Sequence, residues 1–198
     1  MTLSAHAHSC MYRDQLKTLL AGVKNGDVSV DGALKKLKNL PYEDLGFANI
    51  DHHRALRKGF PEVIFCENKT PAQVATIFER LSGNDAVLAT RASQAVFDAV
   101  HKSFPAAVYH EPARAIVYSH DDAPVRSGKP ILVCSAGTSD IPVADEAYIT
   151  ADVMGNPVEK LYDVGVAGIH RLLNNKDKLD ASNVVVVVAG MDGALPAV

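Results

Sequence analysis

Pro130-Ile131-Leu132-Val133-Cys134 leads through Ser135 and Ala136 into Gly137-Thr138-Ser139-Asp140, and from there into Ile141-Pro142-Val143. An apolar run that breaks at glycine and resumes as an amphipathic stretch through Thr, Ser and Asp reads as a strand, a turn and a helix start. Such a turn gathers hydroxyls and free backbone N–H groups at a positive helix terminus, where an anion can sit. Downstream the alternation repeats: a helix over 141–154 ended by Gly155, a strand over 158–163, a glycine-punctuated turn, a helix over 170–179, and Val184 to Ala189. Val184 to Val188 is an unbroken valine run, which suits a central parallel strand covered on both faces. Strands alternating with helices imply a doubly wound α/β sheet whose ligand crevice lies beyond the carboxyl ends of the strands. Gly137 to Asp140, Gly165 to Arg171 and Gly190 to Gly193 all fall at such ends, so three turns are expected to converge on one edge.

Upstream, residues 12–40 read as two helices. Leu16, Leu19, Leu20 and Val23 share a face of the first; Val30, Ala33, Leu34, Leu37 and Leu40 share a face of the second, which Ser29 can cap. After a connecting stretch from Pro41 to Gly59, the pattern changes to Val63-Ile64-Phe65-Cys66, a helix from Thr70 to Leu81, Ala86 to Ala89, a helix from Ala92 to Phe104, and two β-like pieces at Ala106 to Tyr109 and Ala115 to Tyr118. Thr70-Pro71 is a strong helix start, a capping hydroxyl followed by proline. Asp121-Asp122-Ala123-Pro124 and Ser127-Gly128 mark a linker. Three sections are therefore expected: a helical region over 1–50, a small α/β domain over 51–126, and a larger α/β domain over 127–198 whose sheet stops mid-fold near Met191 to Val198.

With 47% hydrophobic and 22% charged residues in 198, the chain falls within globular bounds and outside disordered or collagen-like composition. A net charge of −3, with basic residues scattered, gives no electrostatic footprint for nucleic acid or a membrane surface and favours a small-molecule partner. Cys10, Cys66 and Cys134 do not form an even framework, which points to reduced thiols and a cytoplasmic setting. His6, His8 and Cys10, and Asp51-His52-His53-Arg54, have metal-binding residue types; a frayed terminus and a solvated face are the simpler readings.

In the first turn Thr138 and Ser139 can donate hydroxyls to a phosphate, and Asp140 can grip a ribose hydroxyl or cap the helix. In the second, His170 and Arg171 set an imidazole beside a guanidinium at a helix start, a proton carrier and a forked phosphate donor. In the third, Asp192 lies between Gly190 and Gly193, either as an N-cap or as an acid/base group. There is no Walker loop, no Gly-x-Gly-x-x-Gly and no Gly-x-Ser-x-Gly elbow.

Taken in order, Gly137-Thr138-Ser139-Asp140, Gly168-Ile169-His170-Arg171 and Gly190 through Leu195-Pro196 resemble the aminoimidazole ribonucleotide carboxylase superfamily. Gly168 stands where those enzymes have a serine. Four longer phrases resemble the LarB family of nickel-pincer nucleotide cofactor biosynthesis: the segment from Asp51 through Arg54, Arg57, Gly59 and Pro61 to Ile64, then Ala89-Thr90-Arg91-Ala92, Gly137 to Ala144, and Tyr162 to Leu173. The resemblance implies a three-layer parallel-sheet α/β fold of the carboxylase type, and a carboxylase/hydrolase activity. Nicotinate adenine dinucleotide would be carboxylated on its pyridinium ring by carbon dioxide or bicarbonate. Its phosphoanhydride would then be hydrolysed to the dicarboxylated mononucleotide and AMP. No organic cofactor is implied, Mg²⁺ is compatible, and a homo-oligomer is expected.

On this resemblance Gly137, Thr138, Ser139, Asp140, Arg171, Gly190 and Gly193 hold the nucleotide, Arg91 orients a carboxylate, and His170 and Asp192 carry protons. Asp192 stands where the family has glutamate, one methylene shorter. The family's nucleophilic cysteine follows the Leu-Pro segment, and none of Cys10, Cys66 or Cys134 matches it, so this stretch of chain is expected to bind nucleotide without turnover. The alternatives are an aminoimidazole ribonucleotide carboxylase or mutase, and a non-catalytic nucleotide-binding module.

Overall fold

The computed structural model describes residues 17–37, 43–51, 54, 60–82, 86–119 and 128–198. His6, His8, Cys10, His52, His53, Arg57, Gly59 and the linker at 121–127 lie outside them. Packing gathers the chain into two compact units, Met1–Glu62 and Val63–Val198.

The first unit holds helix α1 (17–25) and α2 (Val30–Leu37). Gly26 takes φ 82° in the turn between them, a left-handed conformation that favours glycine. Ser29 caps α2 as expected, its Oγ accepting the Gly32 N–H at 3.0 Å. A short antiparallel pair follows, β1 (Glu43–Asp44) with β2 (Asn49–Ile50).

The second unit opens with β3 (Val63–Phe65), α3 (Pro71–Leu81), β4 (Val87–Thr90), α4 (Gln94–His101), β5 (Val108–His110) and β6 (Ala115–Tyr118). Their sheet runs β3-β4-β6-β5, with β3 and β4 parallel and the other pairs antiparallel. At the start of α3, Thr70 Oγ1 accepts from Gln73 N–H and Gln73 Oε1 accepts from Thr70 N–H, a reciprocal cap that fixes the entry expected at Thr70-Pro71. The rings of Phe78, Phe104 and Tyr118 meet edge-on or tilted, centroids 5.2 to 6.1 Å apart, and close the core under β4.

The remainder is β7 (Ile131–Ser135), a 3-10 turn at Thr138–Asp140, α5 (Ile141–Val153), β8 (Val158–Leu161), α6 (Ile169–Leu173), α7 (Lys176–Ala181) and β9 (Val184–Val188). The sheet is wholly parallel in the order β8-β7-β9. Because β8 and β9 flank β7 on opposite sides, right-handed crossovers put α5 on one face and α6 with α7 on the other. Leu132 and Cys134 of β7 pack with Leu161, Val164, Leu172 and Leu195. Helix α5 also packs against the first sheet, where Ile149 meets Leu88, Ala113 and Ala115. It is thus the layer shared by both sheets, which explains a helix apolar around most of its circumference.

Two expectations need correction. Within the described sheet β7 is the central strand and the valine run, β9, lies at the margin, with Val184 and Val185 41–47% exposed where full cover was expected. Five β-branched residues specify an apolar strand, but strand order is set by the direction of each crossover, which composition does not encode. The single helix over 170–179 is two, α6 and α7. Asn174 and Asn175 interrupt it, and the Asn175 Nδ2–H₂ donates back to Arg171 O at 2.9 Å, so an asparagine competes locally with the helix.

Candidate functional site: three turns at the carboxyl edge of the parallel sheet

The carboxyl ends of β7 and β9 are neighbours in the parallel sheet, and ligands of open α/β sheets bind beyond such carboxyl ends. Asp140 joins the two ends. Its Oδ2 accepts the Gly137 N–H at 2.8 Å within its own turn, and its Oδ1 accepts the Gly190 N–H at 3.0 Å from the turn after β9. Helix α5 takes no side-chain cap from Asp140. The carboxylate therefore bridges two turns, where capping or a ribose contact was expected. A β-carbon at Gly190 would sit 3.0 Å from Asp140 Oδ1, so a side chain there would press on the bridging carboxylate.

The second turn is bound to the same strand end. Ser135, fully buried, accepts the Asp163 N–H on its Oγ at 3.1 Å, and its carbonyl accepts from Val164 N–H. The Ala136 carbonyl accepts the Gly165 N–H at 2.7 Å, and a β-carbon at Gly165 would lie 2.7 Å from that same oxygen. Only glycine allows this approach. Asp163, at φ 59°, turns its carboxylate to the Arg171 guanidinium, Oδ2 to Nη1 2.5 Å. The Arg171 side chain lies over Gly168, where a β-carbon would come within 2.7 Å of Nε. The lack of a side chain at Gly168 leaves room for this guanidinium.

Gly137, Asp140 and Gly190 meet directly, and Arg171 joins them through Asp163 and Ser135. Thr138 and Ser139 are exposed on the 3-10 turn that enters α5, and the first N–H groups of such a turn have no acceptor within the helix. His170 and Asp192 are exposed in the second and third turns, and among the described residues their side chains carry no hydrogen bond. Asp192 and Gly193 both take left-handed φ, 58° and 57°. Arg91 is elsewhere, at the end of β4, where its Nε meets Glu146 Oε2 of α5 at 2.6 Å.

The structural residues Ser135 and Asp163 were not singled out from the sequence. A buried serine ending an apolar strand and an aspartate two residues before a glycine are the signals that could have marked them. Cys134 adjoins the first turn in sequence, but its thiol belongs to the apolar cluster and lines a cavity of about 540 Å³ with Leu172, Val187 and Leu195. Burial pushes that thiol up from its ordinary pKa, and Cys66 is pushed up to about 11 by burial, partly offset by Lys69 and Arg114. Neither is poised as a thiolate at neutral pH. Among the described residues no cluster of His, Cys, Asp and Glu is placed to hold a metal ion, and no helix is long and apolar enough to cross a membrane.

Residues 42–120 match the model of the LarB/PurE-like N-terminal domain. An uncharacterized protein of Methanocaldococcus jannaschii is 34% identical over 193 residues, spanning 92% of this chain and 75% of the relative. The matched module covers the first sheet, while the likeness to the archaeal protein runs on through nearly all of the chain. The chain belongs to the same family as this archaeal protein and carries a LarB/PurE-like N-terminal domain over residues 42–120.

Proposed function

We propose that the three turns bind the nucleotide of nicotinate adenine dinucleotide, and that the complete activity is carboxylation of its pyridinium ring with hydrolysis of its phosphoanhydride. The observation that carries this reading is the bridge from Asp140 to Gly137 and Gly190, which holds two strand-end turns around one anion-ready edge. Thr138 and Ser139 offer hydroxyls and helix-start N–H groups to a phosphate, and Gly190 and Gly193 let the backbone come close. Arg171 adds a cationic fork, and His170 and Asp192 are the proton carriers. The electron-poor ring cannot attack carbon dioxide until a thiolate adds to it; the ring carbon then bonds the carboxyl carbon, and loss of a proton and the thiolate restores the aromatic cation. That thiolate is not assigned to Cys66 or Cys134, both of which are buried. Carbon dioxide or bicarbonate is the co-substrate, the setting is cytoplasmic, and the assembly is a homo-oligomer.

A second reading, nucleotide binding without turnover, is supported by the same burial of both described thiols. Incubation with nicotinate adenine dinucleotide and bicarbonate separates the two. AMP together with a dicarboxylated mononucleotide supports the full reaction, and binding without either product supports the module. Neither binding nor product overturns both. Aminoimidazole ribonucleotide is the less suitable substrate, because Arg171 lies over Gly168 where a hydroxyl would be needed.

A further inference from the structure

Helix α5 carries a second inward carboxylate, five residues beyond Asp140. The Asp145 side chain is only 13% exposed, and its Oδ1 accepts from Lys160 Nζ at 2.6 Å and from Tyr162 OH at 2.8 Å. Lys160 and Tyr162 are two residues apart and share one face, as alternate strand positions do. Lys160 also stands over the rings of Tyr148 and Tyr162, 4.2 and 5.4 Å from their centroids. The lysine balances a carboxylate that is costly to bury alone, and the rings hold the ammonium in place. Burial, and then the hydrogen bond to Asp145, pushes the Tyr162 phenol above its ordinary pKa, so it remains a donor at neutral pH.

The next residue is Asp163, which pairs with Arg171. That pair is open to water, its side chains 49% and 39% exposed, and pairs of this kind are too weak to fix a guanidinium by themselves. The placement of Arg171 therefore depends on the Asp163 backbone, which takes φ 59°, a region uncommon outside glycine. Two anchors secure that backbone. The Asp163 N–H donates to the buried Ser135 Oγ at 3.1 Å, and the residue before it is tied to α5 by the Tyr162 phenol.

We propose that Tyr162 and Asp145 are positioning residues for Arg171, holding the end of β8 so that Asp163 presents the guanidinium to a phosphate of the nucleotide. This rests on the reading of Arg171 as a phosphate donor. With Asp140 bridging the first and third turns and Asp145 holding the second through Tyr162, the start of α5 is the common support of all three. A helix that moved would move the three turns together.

The test reads the order of the Arg171 Nε–H by ¹⁵N relaxation of the whole chain without ligand, assigned through Arg171→Lys, and the affinity for nicotinate adenine dinucleotide by calorimetry. In Tyr162→Phe, which removes only the hydroxyl, the Arg171 side chain should lose order and affinity should fall about threefold. Added to Arg171→Ala, the same change should cost no further affinity, a coupling that general damage to the fold would not produce. Asp145→Ala should repeat the loss of order, and Asp145→Asn, whose amide oxygen can still accept from the phenol, should restore it. Thermal unfolding checks each variant. An Arg171 as ordered in Tyr162→Phe as in wild type, an affinity that Tyr162→Phe leaves unchanged where wild type binds, or a loss that persists in full without the Arg171 guanidinium would overturn the proposal. Absence of binding by wild type would overturn the nucleotide reading alone, and the Arg171 signal would then decide the positioning role. Should Asp145→Ala not fold, Tyr162→Phe decides it.

Discussion

Asp140 and Gly190, 50 residues apart, are joined by a hydrogen bond from the Gly190 N–H to Asp140 Oδ1 at 3.0 Å. With Oδ2 on Gly137 N–H, one carboxylate fixes the spacing between the turns that leave β7 and β9. The polar floor of the edge is therefore a structural part, and the Thr138 and Ser139 side chains remain exposed beside it. Both oxygens of a residue that the sequence offers as a ribose or capping group are engaged with backbone N–H groups of the two turns.

Asp140→Ala removes two bonds to a charged acceptor and should cost about 2 kcal/mol. Asp140→Asn should fall between it and wild type, because one oxygen is replaced by an NH₂ that cannot accept from Gly137 or Gly190. Urea unfolding measures both, and an Asn variant as stable as wild type would contradict the bridge.

Gly165 and Gly168 should respond differently to a side chain. Gly165→Ala drives a β-carbon onto the Ala136 carbonyl, a backbone atom that cannot yield, and should cost about 1–3 kcal/mol. Gly168→Ser meets only the flexible end of Arg171, so stability should change by less than about 1 kcal/mol while the Arg171–Asp163 pair opens. Thermal unfolding of the two variants side by side checks the contrast.

The thiol of Cys66 should alkylate slowly in the folded protein at pH 8 and faster as pH approaches 11, since burial raises its pKa to about 11. The sign for stability follows from the unfolded value near 9.0: the folded state keeps a proton that the unfolded state releases, so this contribution is intact below pH 9 and is lost as pH rises toward 11. Unfolding curves of wild type and Cys66→Ala across that window should diverge. Parallel curves would contradict the burial argument.

Val133 and Val184 test the strand order. Val133 on the central β7 is fully buried, and Val133→Ala should cost about 2 kcal/mol; Val184, 47% exposed at the margin, should cost less than about 1 kcal/mol as alanine. Equal losses would return β9 to the covered position.

The alternation of strand and helix was legible because apolar period and turn chemistry are local. Thr70-Pro71, Ser29 and the glycine after Cys134-Ser135-Ala136 each announce an element boundary within a few residues. Strand order was not legible: Val184 to Val188 looks the same at the centre or the edge of a sheet, and only the crossover direction distinguishes them. The site was legible in its turns and opaque in its wiring. Asp140 to Gly190, Ser135 to Asp163 and Arg91 to Glu146 are long-range bonds, and no spacing in the sequence encodes which donor meets which acceptor.

The most direct test of the proposal that this edge binds a nucleotide is calorimetric titration of nicotinate adenine dinucleotide into the wild-type chain and into the Thr138→Ala/Ser139→Ala variant, with thermal unfolding measured on both. Saturable binding by wild type, weakened about tenfold in a variant that melts at the same temperature, is the predicted result. Equal affinity in the two proteins, or no binding by wild type, would contradict it.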